Sequence, residues 1–286
     1  MGKILRAKSG NIVLLSAITT DVVKEARRIH GTNPPATAAV GRALTGLALY
    51  STVFRDSAIN RIVFQFIVDG PIGEITVETD MRGNLRAYVR NPNPPFQVKE
   101  SKLPVSDVVG SGHLYVYKHT PEGIYQSVVP LISGEIAEDI AYFVYKSDQI
   151  PSAFALGVLV DEYGDVKSAG GVWAYLEPGA TEEEIKLLEE RFRSIESISR
   201  LIEAGLDNRG LLNVITRNYS LVDEFDVRYG CWCTRESVEE ALISLAGEDK
   251  ERLMEEEKVE VRCRYCGRVY TFTRDDIRKL FLQSDR

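Results

Sequence analysis

The sequence predicts an α+β fold in three parts: an N-terminal mixed α/β core domain, a helical linker and a small C-terminal four-cysteine domain. Three observations lead there. Strand-like and helix-like runs follow one another up to Leu176 without the strict strand–helix–strand rhythm of a doubly wound sheet. The breaker Glu177-Pro178-Gly179 is followed by a long amphipathic stretch. All four cysteines lie near the C-terminus, as Cys231-Trp232-Cys233 and Cys263-Arg264-Tyr265-Cys266. These place the core domain at 1–178, the linker at 179–226 and the cysteine domain at 227–286.

Taken in order, residues 11–18 (Asn-Ile-Val-Leu-Leu-Ser-Ala-Ile) read as a buried strand. Asp21 is placed to cap a helix over 22–30, and Gly31 to end it. Thr32 or Asn33 before Pro34-Pro35 opens a second helix, since proline suits a first helical turn. That helix, 36–54, is apolar nearly all round, with Gly41 and Gly46 allowing close approach, and is expected at the centre of the core. Residues 61–89 read as a β-meander turning at Asp69-Gly70-Pro71 and Arg82-Gly83-Asn84. Asn91-Pro92-Asn93-Pro94-Pro95 is a loop. Strands are expected at 113–118 and 123–132, then an amphipathic helix at 135–145 with Ile136, Ile140, Phe143 and Val144 on one face. The last two strands are placed at 156–160 and 172–176, with Ala169-Gly170-Gly171 permitting a bulge or close backbone contact.

Thr181-Glu182-Glu183-Glu184 is a capping box that opens the linker helix. Ile185, Leu188, Phe192, Ile195, Ile198 and Ile202 recur at helical spacing and form an apolar stripe. The plain reading packs this stripe on its own domain. The sharper one makes it a releasable surface that binds client proteins. Residues 207–226 continue the linker less regularly. In the tail, Ser237-Val238-Glu239-Glu240 reads as a second capping box, with Gly247 ending that helix. A strand at 258–262 leads into the second cysteine couple, Gly267 supplies positive φ, 269–272 returns as the partner strand, and Thr273 caps a last helix.

Composition narrows the function. Hydrophobic content of 44% and charged content of 27% are those of an ordinary globular protein. The net charge of −7 and the near balance of acidic and basic residues in the tail argue against a nucleic-acid-associated zinc ribbon, which is the competing reading. The first residues lack the apolar run of a secretory leader. No uncharged run reaches the ~20 residues of a membrane span; the nearest approach, 36–54, contains Arg42. The expected compartment is the reducing cytoplasm, where clustered cysteines serve as metal ligands or redox switches.

Two close couples separated by residues 234–262 have the spacing of a four-thiolate site, and zinc suits four sulfurs. His30, His113 and His119 all lie far upstream, so a mixed Cys/His site is not expected. The first couple is C-x-C, which brings two thiols close enough for oxidation to join them. A thiol–disulfide oxidoreductase would want a reactive C-x2-C at a helix N-terminus; Cys266 leads instead into Gly267 and a strand. No Walker loop or dinucleotide fingerprint is present, and no catalytic residues are assigned. A tail of this size is marginal on its own core, while structural zinc contributes roughly 10–16 kcal/mol in small zinc peptides. Oxidising the ligands is therefore expected to unfold the tail, and a linker that leans on it would expose apolar surface.

The chain resembles the family of redox-regulated bacterial heat-shock holdases of about thirty-three kilodaltons. The resemblance rests on the run His30-Gly31-Thr32-Asn33-Pro34-Pro35-Ala36-Thr37-Ala38-Ala39-Val40-Gly41-Arg42, on Asp69-Gly70-Pro71-Ile72-Gly73, on Ser133-Gly134-Glu135-Ile136-Ala137-Glu138-Asp139, on Ala169-Gly170-Gly171 and on the two cysteine couples. It implies that the reduced protein is inactive and holds one Zn2+ through Cys231, Cys233, Cys263 and Cys266. It implies that oxidant with heat produces Cys231–Cys233 and Cys263–Cys266 disulfides and zinc release. The oxidised form would then be a homodimer that holds unfolded client proteins without ATP, with neither nucleic acid nor membrane as partner.

Overall fold

The computed structural model describes residues 2–97 and 103–284, which fall into two compact units meeting between Gly230 and Cys231. The first unit begins with a hairpin the sequence reading did not anticipate. Strand β1 (Gly2–Ser9) turns at Gly10, in the left-handed region at φ 58°, into β2 (Ile12–Ile18). Helix α1 (Thr20–His30) starts earlier than expected: Thr19 is its N-cap, and Asp21 sits inside the first turn, where a carboxylate favours the helix dipole. Gly31 ends it in the left-handed conformation, as read.

Helix α2 (Pro34–Ser51) opens with the Asn33 side chain accepting from the Ala36 amide, and is buried along nearly its whole length. A Cβ at Gly46 would run into Ile140, and one at Gly41 into Val23 and Val158, so both glycines permit close packing. The meander follows as β3 (Arg61–Val68), β4 (Glu74–Thr79) and β5 (Asn84–Val89). After a short helix α3 (Val105–Val109) come β6 (Gly112–Thr120) and β7 (Gly123–Pro130). Helix α4 (Ala137–Phe143) is shorter than the predicted 135–145 and runs on into a wider turn. The buried Asp139 carboxylate accepts from the amides of Ile132, Ser133 and Ile136, which fixes the Ser133–Asp139 motif as the entry to this helix. Arg42 pairs with Glu135 across from it at 2.5 Å. Strands β8 (Ser152–Val160) and β9 (Val166–Leu176) complete the predicted set.

The linker region departs from a single long helix. It is α5 (Glu182–Ser194), α6 (Ile198–Glu203) and α7 (Asn208–Ile215). Ile195 leaves helical geometry at ψ 105°, Ser197 caps α6 through the Arg200 amide, and Asp207 caps α7 through the Gly210 amide. Serines that hydrogen-bond backbone favour such interruptions over helix interiors. Beyond α7 the chain becomes strand β10 (Ser220–Tyr229) where an irregular linker was expected. Val227 to Gly230 thus belong to the first unit, although the sequence reading gave them to the tail.

The ten strands form one sheet in the order β7-β6-β3-β4-β5-β10-β1-β2-β9-β8. Neighbours are antiparallel except β10 and β5, which join in parallel over Arg228↔Asn84 and Tyr229↔Leu85. The sheet is therefore two antiparallel halves joined by a short seam. The main core gathers α2 with Ile4, Val13, Leu15, Ala17, Phe64, Val77 and Trp173. Because side chains alternate across a strand, the neighbours Leu5, Ala7, Ile12, Leu14, Val172 and Ala174 point to the opposite face. There they form a second buried cluster with Leu188, Ile198, Leu211, Leu212 and Ile215 of α5, α6 and α7. The linker helices cover the back of the sheet.

Candidate metal centre

The second unit is small. Helix α8 (Arg235–Ile243) is capped by Thr234, whose hydroxyl accepts from the Ser237 amide; Ser237 is the third residue of this helix, not its cap. Gly247 begins helix α9 (Gly247–Glu255) and does not end α8. The hairpin β11 (Lys258–Arg262) and β12 (Val269–Thr273) pairs in antiparallel register, and α10 (Arg274–Ser284) is capped by Thr273, as read. Val238, Leu242, Val259, Phe272, Ile277 and Phe281 make its buried apolar core.

Local sequence shapes the thiol cluster. Cys263 and Cys266 lie on the turn between β11 and β12. The Gly267 amide donates to the Cys263 carbonyl at 2.9 Å, the Cys263 amide donates to the Arg268 carbonyl at 2.8 Å, and Gly267 takes φ 73°. This backbone curl presents two sulfurs from one side. Cys231 and Cys233 come from the extended segment before the Thr234 cap. Cys231 Sγ lies 3.7 Å from Cys263 Sγ, and Cys233 Sγ lies 3.5 Å from Cys266 Sγ. All four sulfurs fall within 4.8 Å of one another, none is joined in a disulfide and all are half-buried. Four sulfurs at a tetrahedral Zn–S distance of about 2.3 Å would stand about 3.8 Å apart. The donor set and its spacing fit such an ion.

A further residue reaches the cluster from β12. The Tyr270 hydroxyl donates to Cys233, lying 2.9 Å from its carbonyl oxygen and 3.2 Å from its Sγ, and accepts from Arg268 Nη1 at 3.4 Å. Burial pushes the Cys233 thiol up, but the hydrogen bonds from Tyr270 and the neighbouring cysteines outweigh it and bring the thiol down to about 7. Burial dominates at Cys266 and pushes it up. Arg268 is raised, first by its hydrogen bond to Tyr270 and then by the charge of Tyr270, Cys233 and Cys266. Of Arg262, Arg264 and Arg268, which flank the second couple, Arg264 lies 5.0 Å over the Tyr265 ring and hydrogen-bonds its hydroxyl. The sequence presents Tyr270 only as a strand residue; nothing in its spacing announces a bond to a cysteine 37 positions earlier.

The structure gathers the four predicted cysteines in the second unit and the predicted apolar stripe in the first. Leu188 and Ile198 are buried in the cluster behind the sheet, Phe192, Ile195 and Ile202 are half-buried against it, and Ile185 is exposed. Among the described residues no helix is long and apolar enough to cross a membrane.

The chain matches the family described as Hsp33 protein over residues 4–273. It belongs to the Hsp33 family. A 33 kDa chaperonin of Thermus thermophilus is 40% identical, the match covering 98% of this chain and 86% of that protein. The 33 kDa chaperonin of Bacillus cytotoxicus is 36% identical over 96% of each. In the crystal structure of the 33 kDa chaperonin of Thermotoga maritima, 31% identical, 99% of each chain superposes with a TM-score of 0.90. Hsp33-family proteins are chaperones, not enzymes, and here the family's fold carries a four-cysteine cluster able to hold a metal ion. Client proteins are the partners such a chaperone implies.

Proposed function

We propose that this Hsp33-family chain is a redox-regulated, ATP-independent holdase of the cytoplasm, inactive while its four thiolates hold one zinc ion. The observation that carries the proposal is the approach of Cys231, Cys233, Cys263 and Cys266 to within one ion's coordination distance, in a unit with a small core of its own. Zinc bound there would supply the cross-link that ties the Cys231–Cys233 segment to the β11–β12 turn. Oxidation to Cys231–Cys233 and Cys263–Cys266 disulfides consumes the sulfur electron pairs that bind the metal, so the ligand set is lost. The second unit then lacks its cross-link and unfolds. Heat releases α5, α6 and α7 from the sheet. Their release exposes both the stripe from Leu188 to Ile202 and the sheet residues beneath it, Leu5, Ala7, Ile12, Leu14, Val172 and Ala174. A continuous apolar surface of this kind binds unfolded clients and a second copy of the chain. In this reading α5, α6 and α7 and the unit from Cys231 let go, while the sheet, β10 included, stays folded.

The test is light scattering from an aggregating, chemically unfolded client, without nucleotide. Full-length protein treated with peroxide at raised temperature should suppress aggregation and the reduced, zinc-loaded protein should not. Equal suppression by both forms would remove the switch.

A further inference from the structure

We propose that Tyr270 is a positioning residue that shields Cys233 from oxidant, so that its hydroxyl helps set how much peroxide the metal centre withstands. This rests on the redox reading above and adds to it the residue that grades the response. Cys233 Sγ lies 3.2 Å from the Tyr270 hydroxyl, and that hydroxyl is itself held by Arg268 at 3.4 Å and by the Cys233 carbonyl at 2.9 Å. The ring is fixed by its strand, where Tyr270 pairs with Val261, and it packs against the unit's apolar core. The donor is therefore positioned before any chemistry occurs.

The chemistry it opposes is nucleophilic. The Cys233 thiolate attacks one peroxide oxygen, the O–O bond breaks, and the sulfur becomes a sulfenic acid while the other oxygen takes a proton and leaves as water. A second thiolate attacks that sulfur, forms the S–S bond and expels the hydroxide, which leaves as a second water on taking another proton. Two electrons pass from the two sulfurs to the peroxide. In the first step negative charge leaves sulfur, so a hydrogen bond that stabilises the charged sulfur is worth more before the transition state than in it. It also occupies a lone pair the attack requires. Arg268, whose Nη1 donates to the Tyr270 oxygen, strengthens the hydroxyl as a donor.

The experiment compares wild type with Tyr270→Phe, each full-length and zinc-loaded so that every sulfur is already a thiolate. Site-resolved alkylation by iodoacetamide should rise about tenfold at Cys233 in the variant, the effect of losing about 1.4 kcal/mol of ground-state stabilisation. Cys231, Cys263 and Cys266 should change little. Peroxide-driven zinc release should accelerate in parallel, while zinc loss to a chelator without oxidant should keep its rate. An unchanged Cys233 rate, a uniform rise at all four cysteines, faster loss to the chelator, or failure of the variant to load zinc would each overturn the proposal; the last three would make the hydroxyl a structural prop. Failure of the redox reading shows separately, as wild type that stays inactive after oxidation whatever the alkylation pattern.

Discussion

At the scale of single residues, chemistry and attachment rest on a few polar contacts. Glu184 is one. Its carboxylate accepts from the Asn11 amide at 2.8 Å, the Asn11 side-chain amide at 3.1 Å and the Thr181 amide at 2.8 Å, so the cap of α5 is also a tie to the β1–β2 turn. The Asn11 and Thr181 amides hold this carboxyl at about 2, against an ordinary value of 4.5. A depressed folded value means the charged form favours the folded state. The contribution is complete above about pH 4.5 and disappears as pH falls towards about 2. Glu184→Gln should therefore lower the urea midpoint of the first unit near neutral pH, with the gap to wild type closing in acid; a gap that stays constant from pH 7 to pH 2 would contradict this. The sequence made the cysteines legible because metal-ligand spacing is local, and it made Thr181 and Glu184 legible because a capping box is local. Asn11 above Glu184, and Tyr270 beside Cys233, are partnerships across long stretches of chain that no spacing rule contains.

At the scale of elements, the legible ones carry an unbroken period. Helix α2 could be read because it is apolar on every side, and the meander because its turns are marked by glycine. Strands β1 and β10 could not, because Lys3, Arg6 and Lys8 interrupt the first and Asp223, Glu224 and Asp226 the second. The structure explains both at once: the two strands are neighbours, Lys3 pairs with Glu224, and Arg6 stands opposite Asp223. Opposite charges across a ladder do what apolar alternation does elsewhere. The linker stripe lies on three helices where one was expected, since the breaks at Ile195 and Ala204 are set by capping serine and aspartate contacts. Leu212, a fully buried residue of α7, is the clearest test of this element. Leu212→Ala should cost about 2–5 kcal/mol of local stability. Limited proteolysis should then cut within 180–215 first, and the reduced protein should gain partial holdase activity at raised temperature. Cleavage appearing first beyond residue 231 would place the weak point elsewhere.

At the scale of the whole molecule, the two units have very different means of support. The first has a large core on one face of its sheet and helices on the other; the second has a small core and four thiols. Structural zinc of roughly 10–16 kcal/mol matches or exceeds the entire stability of a typical small domain. Chelation, or Cys263→Ser, should therefore abolish hydrogen-exchange protection across 231–284 and leave the strands of the first unit protected. Loss of protection in β2 or β9 would refute that independence. The seam between β5 and β10 adds a consequence of its own. The Arg228 amide donates to Gly83 and the Gly230 amide to Leu85, both at 2.9 Å, and the Tyr229 hydroxyl lies 3.0 Å from His30 Nε2. The last residues before Cys231 are moored to strand and helix, so disorder spreading back from the thiols meets a breakwater one peptide away. If the proposed switch holds, whatever loosens α5, α6 and α7 must arrive by another route, and the chain would have two separate thresholds, one on each side of that mooring.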